Sequence, residues 1–222
     1  MNSVTEYGEF EEKFQETYEL FKRNIESDEE VGASFAVYKD GKPIIDLYGG
    51  FQDRDKKISW NKETMVNVHS TSKGIVAMVV AKLIDNGDLE LEKRVCDYWP
   101  EFSENGKNDI KVKTLLSHQA GLYGWREPLD ETDFYKWDYV CELLAKQKPF
   151  HEPNKEICYH PKTIGFLVGE LIKRITKKSV GKNLHELLSE PLNAKCFIGT
   201  PETYHGNIAE LISSESLRKA FS

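Results

Sequence analysis

The segment from Ser70 to Asp85 reads "STSKGIVAMVVAKLID", and from Gly74 onward it is almost wholly apolar. That is too many apolar residues for a helix with one wet face, so the run predicts a central, buried helix. Asn86-Gly87 supplies the stop, because both residues take the left-handed conformation that closes helices. The run falls far short of the ~20 residues of a membrane span and contains Lys82, so protein rather than lipid must enclose it. Such a helix constrains the rest of the chain to provide surrounding layers.

The N-terminal part offers candidates for those layers. Phe10, Phe14, Tyr18, Phe21 and Ile25 recur at intervals of three and four, which predicts an amphipathic helix over 10–27. Two β-rich runs follow, Ala33–Lys39 and Pro43–Tyr48, joined by Asp40-Gly41. Both turn positions take positive φ at low cost, so the pair reads as a hairpin, with the 10–27 helix on one face of its sheet. "DRDKKISWNKETMVNV" reads as loop and short strand, and "DIKVKTLLSHQAGL" as a short helix ending at Gly121.

Trp137, Val140, Cys141 and Leu144 mark a further helical stripe; Ile164, Leu167, Val168, Leu171, Ile172 and Ile175 mark another. Gly165 and Gly169 within the latter predict close helix contact. "HGNIAELISSESLRKAFS" reads as a helical tail. Strands first and helices after give an α+β class. A lone hairpin is only marginally stable, so more strands are expected than these runs supply.

The 222 residues suffice for a substantial core, and 39% hydrophobic with 30% charged residues is an ordinary globular composition. The net charge of -7 is spread along the chain, which argues against a nucleic-acid partner. Cys96, Cys141, Cys158 and Cys196 are irregularly spaced with no C-x-x-C, so neither a zinc site nor a disulfide framework is expected. The acidic start "MNSVTEYGEFEEKF" lacks the pattern of a secretion signal or a mitochondrial presequence, giving a soluble, cytoplasmic expectation with no membrane partner.

Chemistry enters at the mouth of the apolar run. Ser70 and Lys73 are three apart, hence neighbours on one helical face. A serine hydroxyl is a poor nucleophile until an adjacent base takes its proton. Lysine serves as that base where burial or nearby positive charge lowers its pKa from about 10.4. The spacing alone carries little, since it also occurs at Ser59/Lys62, Ser179/Lys182 and Ser216/Lys219. Only Ser70 opens a helix apolar on all sides, where a hydroxyl and an amine need a reason to be buried. The competing reading is a serine helix cap with a snorkelling lysine.

Five ordered segments extend the pattern: "STSK" with its helix, "DNGDLELEKRVCDYWPEF", "IKVKTLLSHQAGL", "YHPKTIGFLVGELIKRITKKSVG" and "PLNAKCFIGTPE". Together, from about Gly32 to Glu202, they resemble the serine β-lactamase-like family of class C β-lactamases, penicillin-binding proteins and carboxylesterases. The resemblance implies a beta-lactamase/transpeptidase-like α+β fold, with a helical subdomain and an antiparallel sheet. It implies a single domain over 1–222, with the N-terminal helix and hairpin at 8–50 and the helical catalytic part at 60–200.

It further implies Ser70 as the acylated nucleophile, Lys73 as its base and Tyr159 as the relay tyrosine of a Y-x-N motif. Here the third motif position is Pro161, which offers no amide, and the "YH" form resembles the esterase branch more than the lactamases. His160 is a candidate to replace part of that polar function, although an ordinary structural role is the simpler reading. His118 in "LLSHQAGL" reads as structural, and Trp125 and Tyr123 as either acyl-pocket lining or plain core.

Family members continue to a strand bearing K-T-G, H-T-G or similar, which supplies one oxyanion donor, and this sequence contains no such triad. The expectation is a sheet without its C-terminal strands, unless a second chain supplies them, as in a homo-oligomer. No H-E-x-x-H, phosphate loop or G-x-S-x-G occurs, so no metal and no cofactor are expected. Two functions follow: an acyl-serine hydrolase of small esters or amides, or a catalytically inactive or truncated relative kept as a binding or assembly module.

Overall fold

The computed structural model describes residues 2–212. The chain divides into two compact units, one formed by the residues up to Val68 and from Thr200 on, the other by His69–Gly199.

The first unit is built on a four-stranded antiparallel sheet of order β1-β2-β4-β3, with β1 Asn2–Thr5, β2 Gly8–Glu11, β3 Gly32–Lys39 and β4 Lys42–Gly50. The predicted hairpin is β3–β4. Asp40 and Gly41 take φ of 50° and 73°, the paired positive values whose twist matches that of the flanking strands.

The predicted helix over 10–27 starts later. Helix α1 covers Gln15–Glu26 and follows a 3-10 turn at Glu12–Phe14, while Phe10 sits in β2 opposite Ile45. Phe10 extends the helical stripe by one step, but as a strand residue it also gains backbone pairing to β4. Packing reconciles the two patterns: Phe10 stacks on Tyr18 of α1, with ring centroids 4.7 Å apart, above Ile45 and Leu47.

Strands β1 and β2 supply pairing that the apolar runs did not announce. At the other edge, β3 leaves Phe35 and Tyr38 exposed. The predicted helical tail is instead a 3-10 turn at Glu202–Asn207 followed by Ile208 in a parallel bridge to Met65; residues 213–222 of that reading lie outside the described residues.

The second unit is helical: α2 Thr71–Asp85, α3 Val112–Leu116, α4 Trp137–Lys146, α5 Thr163–Thr176 and α6 Val180–Leu184. Its central helix is α5, not α2. Leu167 and Leu171 of α5 face a cluster with Trp99, Phe102, Leu115 and Leu144, while Ile164, Val168 and Ile172 face a second with Val79, Val80 and Leu83 of α2. Helix α2 buries only that one face, and Met78 on it is 49% exposed. Apolar composition announces a capacity for burial; what packs against the helix decides how much of it is used. The predicted stop is present, with Asn86 as C-cap and Gly87 at φ 81°.

Gly169 behaves as expected of a close contact, since a Cβ there would meet the Trp137 ring of α4 at 2.6 Å, whereas Gly165 faces open space. Past α4, the fully buried Lys107 donates from Nζ to the carbonyls of Gln147 at 2.5 Å and Glu104 at 2.6 Å. It thereby satisfies a carbonyl just beyond the helix end that would otherwise be an orphan. All four cysteines are free thiols. Among the described residues no helix is long and apolar enough to cross a membrane.

Candidate active site

Ser70 occupies the N-cap position of α2, but its hydroxyl makes no capping bond and its backbone is already helical, φ -68° and ψ -12°. His69 before it is left-handed at φ 46°, a conformation that costs a residue with a Cβ roughly 1–2 kcal/mol. The helix therefore begins abruptly, with Ser72 N–H bonded to His69 O and Lys73 N–H to Ser70 O, both at 3.0 Å.

The hydroxyl that is not spent on capping meets two other groups. Lys73 Nζ donates to Ser70 Oγ at 3.1 Å from one turn on, and Tyr159 Oη donates to the same oxygen at 3.0 Å from the loop before α5. Lys73 Nζ also lies 5.1 Å from the centre of the Tyr159 ring. The three residues singled out from the sequence are thus brought to one point. The bond to Ser70, and then the Lys73 ammonium, hold the Tyr159 phenol below the usual tyrosine range.

The other Ser-x-x-Lys pairs show what the spacing does without this company. Ser179 is a helix cap in the ordinary sense, its hydroxyl accepting the Lys182 N–H at 3.2 Å. Ser59 and Lys62 flank a loop where Lys62 pairs with Asp46 at 3.0 Å. Ser216/Lys219 lies outside the described residues.

The helix mouth is open rather than dry: Ser70 is exposed and Tyr159 is 51% exposed. The apolar run alone predicts a buried helix start, and the exposed Ser70 differs from that expectation.

His160, next to Tyr159, is fully buried and does not face the site. Its Nε2 accepts the Leu122 N–H at 3.0 Å and its Nδ1 bonds Cys158 O at 2.5 Å, so the proton sits on Nδ1. Burial pushes its pKa down to about 4. Both nitrogens are committed, which makes it a structural residue that leaves the Pro161 position without a polar substitute. His118 lies closer to the candidate residues, with its ring 5.1 Å from that of Tyr159. Burial and then the Lys73 charge lower its pKa.

Of the two aromatic pocket candidates, Trp125 is half-buried against the core, donating to Val140 O and packing on Phe134 and Phe166. Tyr123 is 37% exposed and stacks on Phe150 at 4.7 Å. Among the described residues no cluster of side chains suits a metal ion.

A helical unit whose serine–lysine pair opens a helix and meets a tyrosine from a distant loop, together with an antiparallel sheet, defines a beta-lactamase/transpeptidase-like fold. Comparison with known proteins gives the same class. The chain belongs to the beta-lactamase family, whose family model, described as Beta-lactamase, matches residues 19–205. It is 35% identical over 162 residues to the esterase/beta-lactamase LipL of Mycobacterium tuberculosis, covering 73% of this chain and 37% of LipL.

Among solved structures it resembles a family VIII carboxylesterase, at 39% identity and TM-score 0.87, covering 91% of this chain and 56% of that one. It also resembles a penicillin-binding protein homologue from Caulobacter crescentus, at 35% identity and TM-score 0.89, covering 93% and 56%. The chain thus spans little more than half of these solved relatives and about a third of LipL.

Proposed function

We propose that this chain acts as an acyl-serine hydrolase on small esters or amides, with Ser70 as nucleophile, Lys73 and Tyr159 as its proton relay, and esters as the favoured class. The convergence of Lys73 Nζ and Tyr159 Oη on Ser70 Oγ carries the reading. With the Tyr159 phenol deprotonated beside the Lys73 ammonium, Ser70 Oγ attacks the carbonyl carbon as its proton passes to the Tyr159 oxygen, leaving a tetrahedral oxyanion. Collapse of that intermediate expels the alcohol or amine, which takes the proton from Tyr159, and leaves the acyl group on Ser70. Water then attacks with the same pair as base and releases the acid.

The Ser70 backbone N–H, at the positive end of the α2 dipole, is the proposed donor to the oxyanion from this side. Pro161 in place of an asparagine removes an amide suited to acylamino substrates, which supports esters over lactams. Treatment with a fluorophosphonate is expected to label one serine, and Ser70→Ala to abolish both the label and turnover of a short-chain nitrophenyl ester. A label that persists in Ser70→Ala would refute the assignment.

A second reading, a binding or assembly module that uses the same surface without turnover, is favoured by the Pro161 position, which His160, held by the Leu122 N–H and Cys158 O, leaves without a polar group. Wild-type ester hydrolysis no faster than that of Ser70→Ala would select it.

A further inference from the structure

Tyr159 reaches Ser70 from a loop, yet its own backbone neighbours are anchored elsewhere. The Cys158 N–H donates to the carbonyl of His118 at 3.1 Å, and the His160 N–H donates to His118 Nδ1 at 3.1 Å. One residue thus accepts a bond from each side of Tyr159, through its main chain and through its ring. Its imidazole also packs against the Tyr159 ring, with centroids 5.1 Å apart and planes at 53°.

His118 is itself firmly placed. It follows α3, whose Val112 and Leu115 are fully buried, and its own N–H bonds Leu115 O at 3.2 Å. It takes φ 61°, a left-handed conformation unfavourable for histidine. A strained residue that presents two acceptors to one short segment is over-determined by its surroundings, which is where strain tends to carry function. Because Nδ1 accepts, the ring proton is on Nε2 and the imidazole is neutral.

We propose that His118 is the positioning residue of Tyr159: its carbonyl and Nδ1 clamp residues 158 and 160 so that the phenol stays within hydrogen-bonding distance of Ser70. The proposal rests on the reading of Ser70 as nucleophile for its catalytic consequence, but not for its geometry. His118 touches no reacting atom. A displacement of the phenol by about 1 Å is enough to cost roughly a hundredfold in rate.

The test compares three variants of the full chain. His118→Asn retains an acceptor near the Nδ1 position and tolerates left-handed backbone. His118→Ala removes the acceptor, and His118→Gln moves it from the Nδ1 to the Nε2 position while keeping side-chain bulk, in case the alanine variant does not fold. The expected result is a fall of kcat by roughly 10- to 100-fold in Ala and Gln with KM nearly unchanged, and recovery of most of it in Asn.

A second readout does not need activity. In protein carrying ring-labelled tyrosine, the NMR signal absent from Tyr159→Phe titrates below the usual tyrosine range in wild type and Asn, and moves toward about 10 in Ala and Gln. Unchanged kcat and an unchanged Tyr159 titration in folded Ala or Gln would overturn the proposal, as would an Asn variant as impaired as Ala. If wild type neither hydrolyses esters nor labels, the hydrolase reading falls, while the titration still decides the role of His118.

Discussion

Tyr159 Oη and Ser70 Oγ lie 3.0 Å apart although 89 positions separate them in sequence. In its proposed relay role, the half-exposed phenol oxygen should act on chemistry rather than on folding. Tyr159→Phe is expected to lower kcat for a nitrophenyl ester by about 10²–10⁴ with a small change in KM, since general acid–base groups contribute on that scale. Steady-state kinetics, with circular dichroism to confirm the fold, checks this.

The same contact predicts a charge dependence. Ser70 and Lys73 both lower the Tyr159 pKa, so losing the Lys73 charge should raise it. Ultraviolet difference titration against Tyr159→Phe is expected to show a midpoint below about 10 in wild type and a higher one in Lys73→Gln. Equal midpoints would mean that the ammonium does not act on the phenol.

His160 predicts acid sensitivity. Its folded pKa of about 4 lies below the ordinary histidine value, so between about pH 6.5 and 4 the unfolded chain takes up a proton that the folded chain refuses. Its contribution to stability is present above that window and is lost as pH falls through it, by up to about 3 kcal/mol. Urea unfolding at pH 7 and pH 4.5 should show the loss, and a folded His160→Gln variant should show less of it.

Lys107 acts at the other end of the scale. Burial lowers its pKa to about 8, so from about pH 8 to 10.4 the folded state releases a proton that the unfolded state keeps. Stability from this group is expected to rise by about 1–2 kcal/mol between pH 7.5 and 9.5, and Lys107→Met to flatten that rise. Denaturant titrations at the two pH values measure it.

Two glycines in α5 predict opposite outcomes for the same substitution. A Cβ at Gly169 meets the Trp137 ring, so Gly169→Ala should destabilise by about 1–3 kcal/mol. Gly165 faces open space, so Gly165→Ala should stabilise by up to about 1 kcal/mol through its better helix propensity. Thermal melts of the two variants should shift in opposite directions.

What could be read from the sequence was what depends on neighbours along the chain. Asp40-Gly41 specifies its turn from two residues, and the stripes of α4 and α5 specify their helices and buried faces. Ser70, Lys73 and Tyr159 stand out as candidates only because several motifs occur in a fixed order, and the fold brings the three side chains together. The failures concern partners remote in sequence. Phe10 fits a helix by spacing and a strand by its pairing with β4, and only the fold decides between them. The burial of α2 depended on what packs against it, which its own residues do not encode. His118 reads as structural, and nothing in "LLSHQAGL" reveals that its ring accepts an N–H from a residue 42 positions on.

Ser70, Lys73, His118 and Tyr159 all belong to the unit His69–Gly199. They lie within one uninterrupted stretch of chain, so a recombination that exchanged the flanking segments would carry the proposed nucleophile, relay and clamp along together. Selection could then remake what surrounds the serine while leaving the Ser70, Lys73 and Tyr159 contacts intact.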